Sequence, residues 1–205
     1  MFIFFAWAFY NFILGDEGRA FVDNAVELPT TRVNIPKSKD KPICSQIIVP
    51  AGDCIPQHIA NLPPDPGPAG MLTIEGIDSN KNGVRDDAEI LIVQKWGHSE
   101  RAVQALFLIA KDAQMMVKYG GDISGDEALE LAKKIGPTSK CYIATAGEDV
   151  IADRAAERVT GKIRNTPERF ERYRKFDASL HMRLFEMQDM SLQAACGYDP
   201  EALPN

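Results

Sequence analysis

Asp78, Asn80, Asn82, Gly83, Val84, Asp86 and Glu89 fall within one short run, DSNKNGVRDDAE, at the spacing of the twelve-residue calcium loop D-x-[DN]-x-[DN]-G-x5-E. Each position has a physical task. Asp78, Asn80 and Asn82 offer side-chain oxygens at alternate positions, and Gly83 permits the sharp turn. Val84 contributes a backbone carbonyl, Asp86 ligates directly or through water, and Glu89 closes the shell with both carboxylate oxygens. A set made only of hard oxygens suits Ca2+; Mg2+ requires a tighter octahedron, and Zn2+ favours nitrogen and sulfur. The competing explanation is an Asn/Gly turn in which Asp86 and Asp87 merely cap the following helix. Two features point to a solitary, structural loop. No entering helix precedes Asp78, where the chain reads MLTIEGI, and position eight is Arg85, where paired loops carry an aliphatic residue that bridges to their partner.

Other chemistry has less support. His58, His98 and His181 are dispersed, with no H-E-x-x-H spacing, and no G-x-S-x-G elbow, phosphate loop or dinucleotide fingerprint occurs. Cys44, Cys54, Cys141 and Cys196 contain no C-x-x-C pair, which disfavours zinc. In an oxidising compartment they form disulfides, and of the three formal pairings the simplest joins Cys44 to Cys54 and Cys141 to Cys196. A net charge of -6 and a pI near 5.1 leave no footprint for nucleic acid. A local basic excess spans Arg154 to Lys175; its simplest explanation is a pair of solvated helix faces, with i,i+4 pairs such as Glu168 with Arg172.

The elements that position the loop are helical. The periodicity predicts a first helix from about Asp86 to Trp96, with Ile90, Leu91, Val93 and Trp96 apolar. A second, capped by Ser99, carries an inward stripe of Val103, Leu106, Phe107, Ala110, Ala113 and Val117. A third starts at Ser124, which stands at capping-box spacing from Glu127, and a fourth runs from about Thr138 to Val159. A fifth begins with Thr166 as cap and Pro167 at its first position, with Phe170, Tyr173, Phe176 and Leu180 on one side. The expected fold is all-α: about five helices in a small bundle, preceded by the calcium loop and an irregular, Pro-rich arm. The expected organisation is a hydrophobic segment over 1–15, the arm and linker over 16–70, and the loop with its helical domain over 71–205.

The segment 1–15, MFIFFAWAFYNFILG, has about the length of a signal-peptide h-region and is too short to span a bilayer. It predicts export or anchoring, with membrane contact through residues 1–15; a helix docked on the domain or on a partner is the alternative.

The run LPPDPGPAGMLTIEGIDSNKNGVRDDAEI, followed by Trp96, by NTPERFERY and by a terminal cysteine, resembles a group of uncharacterised bacterial exported proteins. These have a single EF-hand-like loop ahead of a small helical domain. The resemblance spans roughly Leu62 to Cys196, and the loop is its specific part. It implies a periplasmic, cell-surface or secreted protein that binds calcium and has no established activity. Lipid anchoring, frequent in that group, lacks a lipobox cysteine here. The expected role is therefore an exported, calcium-stabilised module, structural or interacting with an unidentified protein or cell-envelope partner. The alternatives are a calcium-braced extracytoplasmic hydrolase and a subunit of a cell-surface assembly.

Overall fold

The computed structural model describes residues 62–181, 183 and 189–203. These belong to one compact unit, Gln57–Asn205; the expected Cys44 to Cys54 bridge and the hydrophobic segment 1–15 lie outside the described residues. Among the described residues the regular structure is helical, without strands, as the periodicity predicts.

The helices are α1 (Asp86–Trp96), α2 (Glu100–Tyr119), α3 (Gly125–Ile135), α4 (Pro137–Thr145), α5 (Glu148–Ala152), α6 (Ala155–Ile163), α7 (Pro167–Ser179) and α8 (Leu192–Cys196). Several of their starts lie where the capping chemistry places them, while α1, α4, α5 and α6 begin without a side-chain cap. Ser99 Oγ accepts from the Ala102 N–H at 3.1 Å, and Thr166 Oγ1 accepts from the Arg169 N–H at 3.2 Å. Ser124 and Glu127 close a full capping box, which satisfies two donors that a helix start otherwise leaves open.

The central element is α2, which packs against α1, α4, α6 and α7. This position widens its buried face beyond the expected stripe. Ala102, Ala105, Ile109 and Met116 are buried alongside Val103, Leu106, Ala110, Ala113 and Val117, while Phe107 is only half-buried. A helix flanked on several sides buries more than one stripe, and its many alanines let neighbouring backbones come close.

The expected fourth helix, Thr138 to Val159, is instead three. Gly147 takes φ 88°, which ends the run after α4, and Arg154 takes φ 55° between α5 and α6. Both values lie in the left-handed region, which cannot continue a right-handed helix. The segmentation returns α6 to α2 and brings α5 against it.

Cys141 and Cys196 are bonded, so α8 is fastened to α4 across 55 residues of sequence. Polar contacts hold the rest of this C-terminal stretch. Arg101 Nε donates to the Leu203 carbonyl at 2.7 Å, and Lys140 Nζ donates to the Met190 carbonyl. No helix among the described residues is long and apolar enough to cross a membrane.

Candidate metal centre

The loop precedes α1, and its first-turn acids Asp86, Asp87 and Glu89 stand where the positive end of the helix dipole favours them. Burial divides the expected ligands. Val84, Asp86 and Glu89 are buried at 0%, 1% and 4% exposure, Asp78 and Asn82 are half-buried, and Asn80 is exposed. The residues nearest the core are thus the backbone ligand and the two carboxylates of the helix start.

A set of side-chain-to-backbone bonds shapes the turn. Asp78 accepts from the Asn82 and Gly83 N–H groups at 3.2 and 2.9 Å, Asn82 Oδ1 accepts from the Val84 N–H at 2.8 Å, and Asp86 Oδ1 accepts from the Ser79 N–H at 2.9 Å. The Asp86 N–H donates back to the Ile77 carbonyl at 2.9 Å, so both ends of the loop are tied together. Gly83 takes φ 86°, and a Cβ there would lie 3.2 Å from Lys111 Cε; glycine serves both the conformation and the close approach.

Glu89 sits beneath the two amides. Asn80 Nδ2 and Asn82 Nδ2 donate to its Oε2 at 3.1 and 2.8 Å. Burial raises the Glu89 pKa above the usual carboxylate range, and the charges of Asp86 and Asp78 raise it further, against those two hydrogen bonds. Asp86 Oδ2 is buried with no hydrogen-bond partner. Among the described residues, Asp78, Asp86 and Glu89 have no ion-pair partner, whereas Asp87 has Arg85 at 2.6 Å and Lys162 at 3.5 Å. The described residues therefore neutralise the acid at position ten and offer no cationic side chain to the acids at positions one, nine and twelve. Among the described residues no three His, Cys, Asp or Glu side chains gather tightly enough to hold an ion by themselves. Any ion here depends also on the amide oxygens of Asn80 and Asn82 and on the Val84 carbonyl.

Two residues outside the loop and one within it, none of them given a role from the sequence, hold the loop and the strap before it. Arg169 on α7 is fully buried and takes the place of an entering helix. Its Nη2 donates to the Gly70 and Thr73 carbonyls at 2.6 Å each, Nε to the Ile74 carbonyl at 3.1 Å, and Nη1 to Asn165 Oδ1 at 2.6 Å. Burial lowers its pKa, as does the charge of neighbouring Arg85. Arg85 is buried too, donating to the Ile163 carbonyl at 2.9 Å besides its pair with Asp87. Gln114 on α2 reaches the loop backbone at Gly83 and Arg85. A long apolar-flanked strap such as 62–77 carries no signal that an arginine about a hundred residues later collects its carbonyls. The arginine-rich character of α7 was the visible hint.

The basic run from Arg154 to Lys175 is largely consumed internally. Arg154 pairs with Glu157, Arg158 with Asp153 at 2.9 Å, and Arg174 with Glu171 at 2.8 Å, while the Arg164 guanidinium lies 4.6 Å from the Tyr173 ring centre. The expected Glu168 to Arg172 pair is replaced. Arg172 donates to the Val117 and Lys118 carbonyls at 2.9 and 2.6 Å, because the end of α2 leaves carbonyls open. His98 meets Asp149 at 3.2 Å in an exposed contact, and His181 is exposed.

Two cavities accompany these features. One, about 340 Å³, is lined by Tyr119, Asp122, Ile123, Glu127 and Leu131. The other, about 330 Å³, lies beside the loop, with Glu75, Asp78, Gln114 and Lys118 in its wall. In comparisons with known proteins, the chain matches no family profile, no curated protein and no solved structure.

Proposed function

We propose that the protein is an exported, calcium-binding helical module with a structural or interaction role, in which the ion stabilises the fold. The ligands are Asp78, Asn80, Asn82, the Val84 carbonyl, Asp86 and Glu89. The observation that carries this reading is the uncompensated acid at the start of α1: Asp86 and Glu89 are buried, Asp86 Oδ2 has no partner, and no cationic side chain among the described residues answers either group. A buried carboxylate without a partner is expensive to keep, and a divalent cation removes that expense. The Asn80 and Asn82 amides now give their nitrogens to Glu89. Their oxygens, which accept from the Asn82 and Val84 N–H groups, each keep a second lone pair for an ion.

Two further features support the setting. The Cys141 to Cys196 disulfide belongs to an oxidising compartment, which agrees with export. Met71 and Leu72, 49% and 81% exposed on the strap, provide apolar surface for an interaction role. The hydrolase alternative needs two free carboxylates across a cavity. In the first cavity Glu127 is committed to the Ser124 cap, and in the second Asp78 is committed to the loop amides.

The test is calorimetric titration of the chelator-stripped full chain with calcium. One site per chain is expected, and Glu89→Gln should weaken binding more than Asn80→Ala, since Glu89 contributes two oxygens. Absence of binding heat, together with absence of terbium luminescence at the site, would reject the reading.

A further inference from the structure

Paired calcium loops support each other through the backbone around position eight, and this loop has no second loop beside it in the sequence. The geometry points to Gln114 as the substitute: its side-chain amide presets the Val84 carbonyl as a metal ligand. The inference rests on the calcium reading and assigns a positioning role to a residue outside the loop.

Gln114 projects from α2, the helix around which the others pack, and makes two bonds of opposite sense to the loop. Its Oε1 accepts from the Arg85 N–H at 2.9 Å, and its Nε2 donates to the Gly83 carbonyl at 3.2 Å. The first bond bears directly on the ligand. The Arg85 N–H and the Val84 C=O belong to one planar trans peptide, in which the two groups point in opposite directions. Fixing the N–H toward α2 turns the Val84 oxygen away from α2. The same bond polarises the peptide and enriches that oxygen in electron density. The second bond fixes the preceding peptide, whose own N–H, that of Val84, donates to Asn82 Oδ1 at 2.8 Å. Two consecutive peptides are therefore oriented before any ion arrives. A side-chain amide has the donor and acceptor of a backbone peptide, which is why it can stand where a partner loop's main chain would.

The readout is the calcium dissociation constant, because a residue that merely holds the fold destabilises ion-free and ion-bound protein alike and leaves that constant unmoved. In the full chain, Gln114→Met keeps length and removes both bonds; it is expected to weaken calcium binding roughly ten-fold. Gln114→Glu retains the acceptor for Arg85 and is expected to bind within about three-fold of the wild type. Hydrogen exchange gives a measure that needs no variant. In chelator-stripped wild-type protein the Arg85 amide should already be protected, by about a hundred-fold or more over an unstructured amide. A Gln114→Met constant within two-fold of a calcium-binding wild type would overturn the assignment, as would an unprotected Arg85 amide, and either leaves the calcium reading intact. A wild type that binds no calcium would overturn both.

Discussion

At the scale of single residues, the acids of this fold face two different problems. In the loop, Asp86 and Glu89 are buried among donors, and no cationic side chain among the described residues pairs with them. Asp112 on α2 is half-buried, with only a hydrogen bond from Thr138 to favour its charged form, and desolvation pushes its pKa up to about 7. The native state therefore keeps a proton that the unfolded chain releases near pH 4. Between about pH 4 and 7 this group's contribution to stability falls as pH rises, and above 7 the full penalty is present. Asp112→Asn removes the ionisable group and keeps the shape. The variant should gain roughly 2–4 kcal/mol over the wild type at pH 8 and almost nothing at pH 4, read from urea unfolding at both values. An equal difference at both pH values would mean that Asp112 does not carry the proton. The proposed metal ligands could be named from the sequence because all of them lie within one short run, where spacing alone brings them together. Arg169 and Gln114 were not, since each acts on backbone far away in sequence and looks, on its own helix, like an ordinary polar residue.

At the scale of elements, the helix starts were legible wherever a cap announces them, as at Ser99, Ser124 and Thr166. The division of the expected Thr138 to Val159 helix was less visible, although Gly147 followed by Glu148 and Asp149 carries a stop and a new acidic first turn. Arg154, a non-glycine residue in the left-handed region, gives no such signal. The inward face of α2 was underestimated for a different reason: periodicity reports one buried stripe, and a central helix has neighbours on several sides. Among these elements α8 depends most on a covalent tie, being short and reached only through the C-terminal stretch. On the chain-entropy model a crosslink spanning 55 residues stabilises by about 4 kcal/mol, less any native strain. The paired change Cys141→Ser with Cys196→Ser should lower the unfolding free energy by an amount of that order and raise hydrogen exchange in α8 first. An unchanged urea midpoint would show that the polar contacts from Arg101 and Lys140 hold this stretch without the bridge.

At the scale of the whole molecule, the all-α class follows from the sequence because the long segments after Asp86 have helical periodicity and several carry their own cap. What the sequence did not carry is how the loop is joined to the body. Arg169 gathers the strap, Arg85 anchors the start of α1, and Gln114 holds the loop against the central helix. Among the described residues, these contacts suit the proposed ion as a lock on the fold and not as a switch that opens a helix pair as in a sensor. The most direct measurement is a pair of thermal melts on the full chain, followed by circular dichroism, in ~1 mM calcium and in chelator. With a dissociation constant of ~10 μM, mass action adds about 2.7 kcal/mol, and the midpoint should rise by roughly 5–10 °C while the room-temperature helical signal stays the same. Coincident midpoints would contradict the account by removing the ion from the fold, and a large calcium-dependent change in helical signal below the transition would contradict it by making the ion a switch.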